Sequence, residues 1–163
     1  MPSNAVAELL ATWRAAERTW EGMDPAAPGF REASIAVLRA WLAYQAATEP
    51  AEPGSFALVA DDDHVYVAVS AGVTAVLGYE PSELLGRRIE DIATPDLAAL
   101  TDDRWRAFLA RGRQDGEFRL LARDGATVAV RFQARAYHPI PGFHMSRLTA
   151  ISAPETRDRS VLP

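Results

Sequence analysis

The sequence contains no cysteine. That excludes a disulfide framework, a thiolate nucleophile, cysteine-ligated zinc and iron–sulfur clusters. Histidine is scarce: His64, His138 and His144 are the whole set, and a zinc site usually takes three or four ligands. No apolar run approaches the roughly 20 residues that a membrane helix needs. The first residues also lack the pattern of a secretory signal. A soluble cytoplasmic protein with no membrane contact is therefore expected. Positive charge is not in excess either, since the net charge is −5, so no nucleic-acid surface is expected. Arginines cluster locally, at Arg111 and Arg113 and along residues 119–135, where solvated faces and ion pairs are the ordinary reading.

What is present is an ordinary globular balance, 48% hydrophobic and 24% charged over 163 residues. That length suits one domain of about 100–150 residues with an extension. Such a chain buries roughly two thirds of its unfolded surface, so no metal or disulfide staple is required.

Residues 56–87 organise the rest. The apolar run 56–60 stops at Asp61, Asp62 and Asp63, and a second run, 65–69, follows at once. Two β-rich runs split by a short polar turn read as a hairpin. Ser70 then stands where a hydroxyl can cap a helix. Val73, Val76 and Leu77 recur at helical spacing. Gly78 suits the left-handed position that ends a helix. Pro81 and Gly86 bracket another short helix.

The hairpin around residues 61–64, the L-G-Y of Leu77, Gly78 and Tyr79, and the E-L-L-G of residues 83–86 together resemble the opening half of a PAS domain. The family commonly has an asparagine after the second strand, where this chain has Ser70. The resemblance implies a five-stranded antiparallel sheet with short helices on one face. It spans about residues 55–151, roughly 60% of the chain.

Ahead of that region, Val6, Leu9, Leu10, Trp13, Ala16 and Trp20 mark one face of a helix, with Asn4 as its cap. Pro25, Pro28 and Gly29 break it, and a second helix is expected over residues 30–47 with Ile35, Leu38, Trp41 and Leu42 on its apolar side. Pro50 and Pro53 mark a linker. After Gly86 come a short turn at Ile89 and Ile92, a helix start at Thr94-Pro95, and one or two helices carrying Leu97, Leu100, Trp105, Phe108 and Leu109. The last third alternates as strands over residues 116–123, 127–135 and 143–151, with a tight turn at Asp124-Gly125. The expected organisation is thus α+β: a two-helix extension over residues 1–54, a PAS domain over 55–152 and a tail over 153–163.

Three constellations invite a chemical reading. Asp61, Asp62 and Asp63 beside His64 look like a metal or acid–base cluster, but consecutive turn residues point apart, and a solvated turn is the favoured reading. His138 and His144 flank the turn at residues 139–142, and His144 shares a strand face with Ser146. The apolar strand faces, with Trp105 and Phe108 over them, form the place where PAS domains hold small ligands. The pocket candidates are Trp105, Phe108, Phe118, Leu120, Val130, Phe132, His144 and Ser146; a core filled by side chains is the competing reading. No catalytic or metal residue is assigned. Haem-binding relatives place their histidine on the long helix before the third strand, where this chain has none, and cysteinyl-flavin chemistry lacks its cysteine. No cofactor is therefore evident, and an unknown small ligand stays open.

The functional expectation is a non-enzymatic sensory module that takes a small ligand or a separate signalling protein as partner. It would form a homodimer through Leu9, Trp13, Trp20, Leu38 and Trp41, with core packing as the alternative use of those side chains. Two rivals stand beside it: a purely structural interaction domain with a filled core, and a small α+β enzyme using Asp61, His64 or His144 as a general base. The polar sheet face of Glu117, Arg119, Arg131, Gln133 and Arg135 is expected to lie under the extension, with arginine stems against tryptophan rings.

Overall fold

Helical periodicity and strand alternation divide the chain in the order α1 (Asn4–Glu21), α2 (Phe30–Thr48), β1 (Ser55–Asp61), β2 (Tyr66–Val69), α3 (Val73–Leu77), α4 (Pro81–Leu84), a 3₁₀ turn (Ile89–Ile92), α5 (Pro95–Ala99), α6 (Thr101–Arg111), β3 (Arg113–Leu121), β4 (Thr127–Arg135) and β5 (Phe143–Ala150). The computed structural model describes residues 3–49, 52–99 and 101–151. Pro50, Leu100 and the tail beyond Ile151 lie outside them.

The strands form one antiparallel sheet in the order β2-β1-β5-β4-β3. The last strand of the chain is thus its centre, paired with β1 from Ser55↔Thr149 to Asp61↔Phe143 and with β4 from Val130↔Ala150 to Arg135↔Met145. Alternation gives the sheet two faces. The inner face, with Phe56, Leu58, Ala60, Leu120, Val130, Phe132 and Leu148, packs under Val73, Leu77, Leu84 and Ile92 from the short helices. The outer face of β1, β2 and β5, with Ala57, Val59, Val67, Phe143 and Met145, packs under Leu38 and Leu42 of α2. A bulge between Val59 and Ala60 breaks the pairing with β2, and both Val67 and Ala68 join the outer cluster as a result.

The two N-terminal helices form an antiparallel hairpin, because Trp13 stacks on Tyr44 at 5.3 Å while Trp20 stacks on Phe30 at 6.0 Å. Trp20 Nε1 also donates to Ser34 Oγ at 2.9 Å. Trp41 packs against the outer cluster. Polar contacts fix α2 along its length. Arg31 reaches Asp61 at 2.7 Å, Arg39 Nε donates to the Val67 carbonyl at 2.9 Å, and Arg147 of β5 donates to Gln45 at 2.8 Å.

Three expectations are corrected. Ser3, not Asn4, caps α1, its Oγ accepting from Val6 N–H. Ser70 caps no helix: its hydroxyl accepts the Ala57 N–H at 2.7 Å and so ties β1 to the end of β2. The arginine face of β3 and β4 is not covered, since Glu117, Arg119, Arg131, Gln133 and Arg135 are all exposed. The physical reason is composition. α2 follows the half of the face whose outward residues are apolar, whereas burying the charged half would cost more desolvation than its pairs return.

Gly72 precedes α3 where the chain passes against β1. A Cβ there would lie 2.2 Å from the Ser55 carbonyl oxygen, and backbone on both sides leaves nothing flexible to yield. Gly72→Ala is therefore expected to destabilise the fold by about 2–3 kcal/mol, read as a lower urea midpoint at unchanged slope. A change under about 0.5 kcal/mol, the range of neutral surface substitutions, would contradict this close approach.

Candidate functional site

The turn between β1 and β2 is built around a buried carboxylate. Asp61 is 4% exposed. Its Oδ1 accepts the N–H groups of Asp63 at 2.9 Å and Val65 at 3.0 Å, and its Oδ2 takes Arg31 of α2. This loop geometry carries His64 into the left-handed region at φ 68°. His64 thereby points inward and is 7% exposed, with Nδ1 2.6 Å from Glu90 Oε1 and its ring 4.4 Å from Trp105. Asp62 stays exposed but accepts from His144 Nε2 at 2.7 Å. The expected solvated turn thus needs correction: Asp62 and Asp63 are exposed, whereas Asp61 and His64 are buried and paired. The sequence pattern hid this because alternation gives no account of a residue at positive φ.

His144 of β5 is buried, and its bonds fix its tautomer. Nδ1 accepts the Tyr137 N–H at 2.9 Å, so the ring proton sits on Nε2 and is donated to Asp62. Around the ring stand Trp105 at 5.1 Å, Phe108 at 6.0 Å and Tyr137 at 4.8 Å. With both nitrogens committed, His144 forms wall rather than free donor. His138 instead meets Trp41 of α2 at 6.2 Å. The two histidines flanking the last turn therefore face opposite sides of the sheet and do not form one site.

Between the inner face and α5–α6 lies a cavity of about 130 Å³. Of the eight pocket candidates, Trp105, Phe108, Phe118, Leu120, Phe132, His144 and Ser146 line it. Val130 does not; it is fully buried in the core beside Phe132 and Leu148. The sequence reading missed Tyr66, Ile89, Leu97, Arg104 and Gln114, which complete much of the wall. Tyr66 was visible in principle as an inward position of β2, whereas no pattern singles out Arg104 on α6. Burial, with Glu90 and Asp91 nearby, pushes the Tyr66 hydroxyl upward, so it stays neutral.

Among the dimer candidates, Leu38 is fully buried under the sheet and is removed from any surface. Trp20 and Trp41 are half-buried against the outer cluster, and Leu9 and Trp13 are half-buried on the helical hairpin. As general bases, Asp61 is consumed by three donors and His144 by two partners. One carboxylate pair joins His64: ligand-type atoms of His64, Glu90 and Asp102 lie within 4.8 Å of one another. Arg88, 3.4 Å from Glu90, brings a competing positive charge. No helix among the described residues is long and apolar enough to cross a membrane.

Burial acts to raise the Glu90 carboxyl. Hydrogen bonds from His64 and from its own backbone N–H, with the charge of His64, outweigh that and hold it below its ordinary 4.5. A depressed carboxyl contributes stability that is complete above its unfolded value and fades as pH falls through its folded value. Glu90→Gln is therefore expected to flatten the loss of stability below pH 4.5, seen as a shallower fall of the thermal midpoint on acidification. Parallel curves for the two proteins would show that Glu90 contributes nothing to it.

Comparison with known proteins bears on the fold. Residues 66–140 match the family model described as the PAS fold. The structure is similar to the PAS domain of a protein from Colwellia psychrerythraea, at 17% identity, TM-score 0.53, and coverage of 60% of this chain and 86% of that one. It is similar in the same measure to the PAS domain of an HTR-like protein from Haloarcula marismortui, at 24% identity and TM-score 0.53, again over 60% and 86% of the two chains. No curated protein sequence matches. With the match over residues 66–140, its five-stranded sheet and these neighbours, the chain has the PAS fold.

Proposed function

We propose that the protein is a non-enzymatic PAS sensor that binds a small ligand in the inner cavity and relays its occupancy to α2 through the β1–β2 turn. The observation that carries this reading is that one turn touches both. His64 packs on Trp105 of the cavity wall, Asp62 holds His144 of the same wall, and Asp61 holds Arg31 of α2. A ligand shifts such an arrangement only by binding one of two states better. Strain at Trp105 or His144 has a short mechanical route to the helical hairpin, because the turn's carboxylates are tied at both ends.

The output is read through α1 and α2. Leu9 and Trp13 on that hairpin retain exposed area, and a second copy of the chain joined through them in a two-fold dimer is the partner arrangement proposed here. A separate signalling protein docking on the same face is the other form that output can take. The exposed arginine face of β3 and β4 takes no part in this reading.

Native mass spectrometry of the protein purified from cells tests both parts. Extra small-molecule mass on a dimer is the expected result, with Leu9→Asp and Trp13→Asp shifting the population to monomer. A monomer without added mass would leave a partner-binding domain with no ligand. For the relay, Arg31→Ala should abolish any ligand-dependent change in amide exchange along α2 while ligand affinity stays within about threefold. A change that persists in this variant would rule the Asp61–Arg31 link out as the route.

A further inference from the structure

Two donors border the cavity without a protein acceptor among the described residues. Trp105 Nε1 is buried and has no hydrogen-bond partner among the described residues. The indole cannot easily turn to find one, because His64 at 4.4 Å, Phe108 at 5.6 Å and His144 at 5.1 Å pack around it. Arg104 lines the same cavity, and no ion pair or side-chain hydrogen bond from it occurs among the described residues. A buried N–H left unmet is costly, and native proteins rarely tolerate one without a reason.

Two of the polar groups at this wall are engaged with the chain itself. His144 Nδ1 takes the Tyr137 N–H, and the Thr101 hydroxyl donates to the Leu97 carbonyl. Glu90 and Asp102 gather at His64, and no carboxylate among the described residues lines the cavity. What remains toward the cavity is a mostly apolar surface with the Tyr66 and Ser146 hydroxyls and the Gln114 amide, beside an indole N–H and a guanidinium that have no acceptor among the described residues. The volume of about 130 Å³ is close to the roughly 150 Å³ that admits a benzene ring in an apolar protein interior.

Resting on the ligand-sensing reading above, we propose that the ligand is a monocarboxylic acid with a compact apolar body, about six to nine non-hydrogen atoms in all. The body fills the space between Phe108, Phe118, Leu120 and Phe132. The carboxylate accepts from Trp105 Nε1 and pairs with Arg104. A guanidinium–carboxylate contact and a charge-assisted N–H bond supply the preference for the anion. A site that presents unmet donors also rejects an isostere lacking the acceptor, because those donors then stay unpaired.

Calorimetric titration of the whole chain with benzoate, hexanoate, benzamide and toluene tests this. Benzoate or hexanoate is expected to bind at least tenfold more tightly than toluene, with benzamide between. Trp105→Phe keeps an aromatic ring in its cage and removes only the N–H. Arg104→Gln changes an exposed side chain and leaves the core intact. Each should weaken acid binding about tenfold or more and leave toluene unaffected. Equal affinity for toluene and the acids overturns the acid assignment while the cavity remains a ligand site. Binding of none of the four probes, on protein that also carries no small-molecule mass from cells, overturns the ligand-sensing reading itself.

Discussion

The carboxylate of Asp61 is the contact on which the most other structure depends. It is buried, and a buried carboxylate persists only when its lone pairs are met. Two backbone N–H groups and one guanidinium meet them. Those bonds shape the tight loop, and the loop turns His64 inward and leaves Asp62 free to reach across to β5. Removing Asp61 would strand the loop's N–H groups and release Arg31 at once. Three residues of one turn, Asp61, Asp62 and His64, therefore join α2, β5, the 3₁₀ turn and α6.

The sheet behind that turn is asymmetric in a way that decides what covers it. Its inner face carries apolar residues on all five strands and takes the short helices. Its outer face is apolar only over β1, β2 and β5. The hairpin of α1 and α2 settles there, and the charged half of β3 and β4 faces water. Within the inner layer, packing is dense around Val73, Leu77, Leu84 and Ile92 and looser under α5 and α6, where the cavity lies. The short helices at that end meet the sheet through large rings, Trp105 and Phe108. Rings with fixed planes cannot close every gap in a core that side chains otherwise fill to crystal-like density.

Two positions carry the functional reading. His144 is held in one tautomer by Tyr137 and Asp62, so it contributes shape and rigidity to the cavity wall. Trp105 is held as firmly, but its polar atom is unmet. The first is a completed piece of structure; the second is an incomplete one, and an incomplete buried group is where a ligand has something to add.

The sequence by itself determined the elements and their order. Alternation in residues 116–123 and 127–135, the spacing of Val73, Val76 and Leu77, the L-G-Y and E-L-L-G segments, and the turn at Asp124-Gly125 each depend on neighbours a few residues apart, where local geometry fixes the pattern. Seven cavity residues were legible for the same reason, since each falls on the inward side of a strand or helix. Only the tertiary structure decided that Ser70 binds β1 rather than capping a helix, that Asp61 and His64 are buried, that Val130 is core rather than cavity wall, that Leu38 is hidden under the sheet, and that α2 covers β1, β2 and β5. It also decided that Arg104 reaches the cavity and that the Trp105 N–H has no acceptor among the described residues. These outcomes depend on partners 13 to 82 residues away, as with Ala57 and Ser70 or Asp62 and His144. Hydrogen-bond satisfaction and burial are properties of assembled surfaces, and no local pattern encodes which distant group will arrive to complete them.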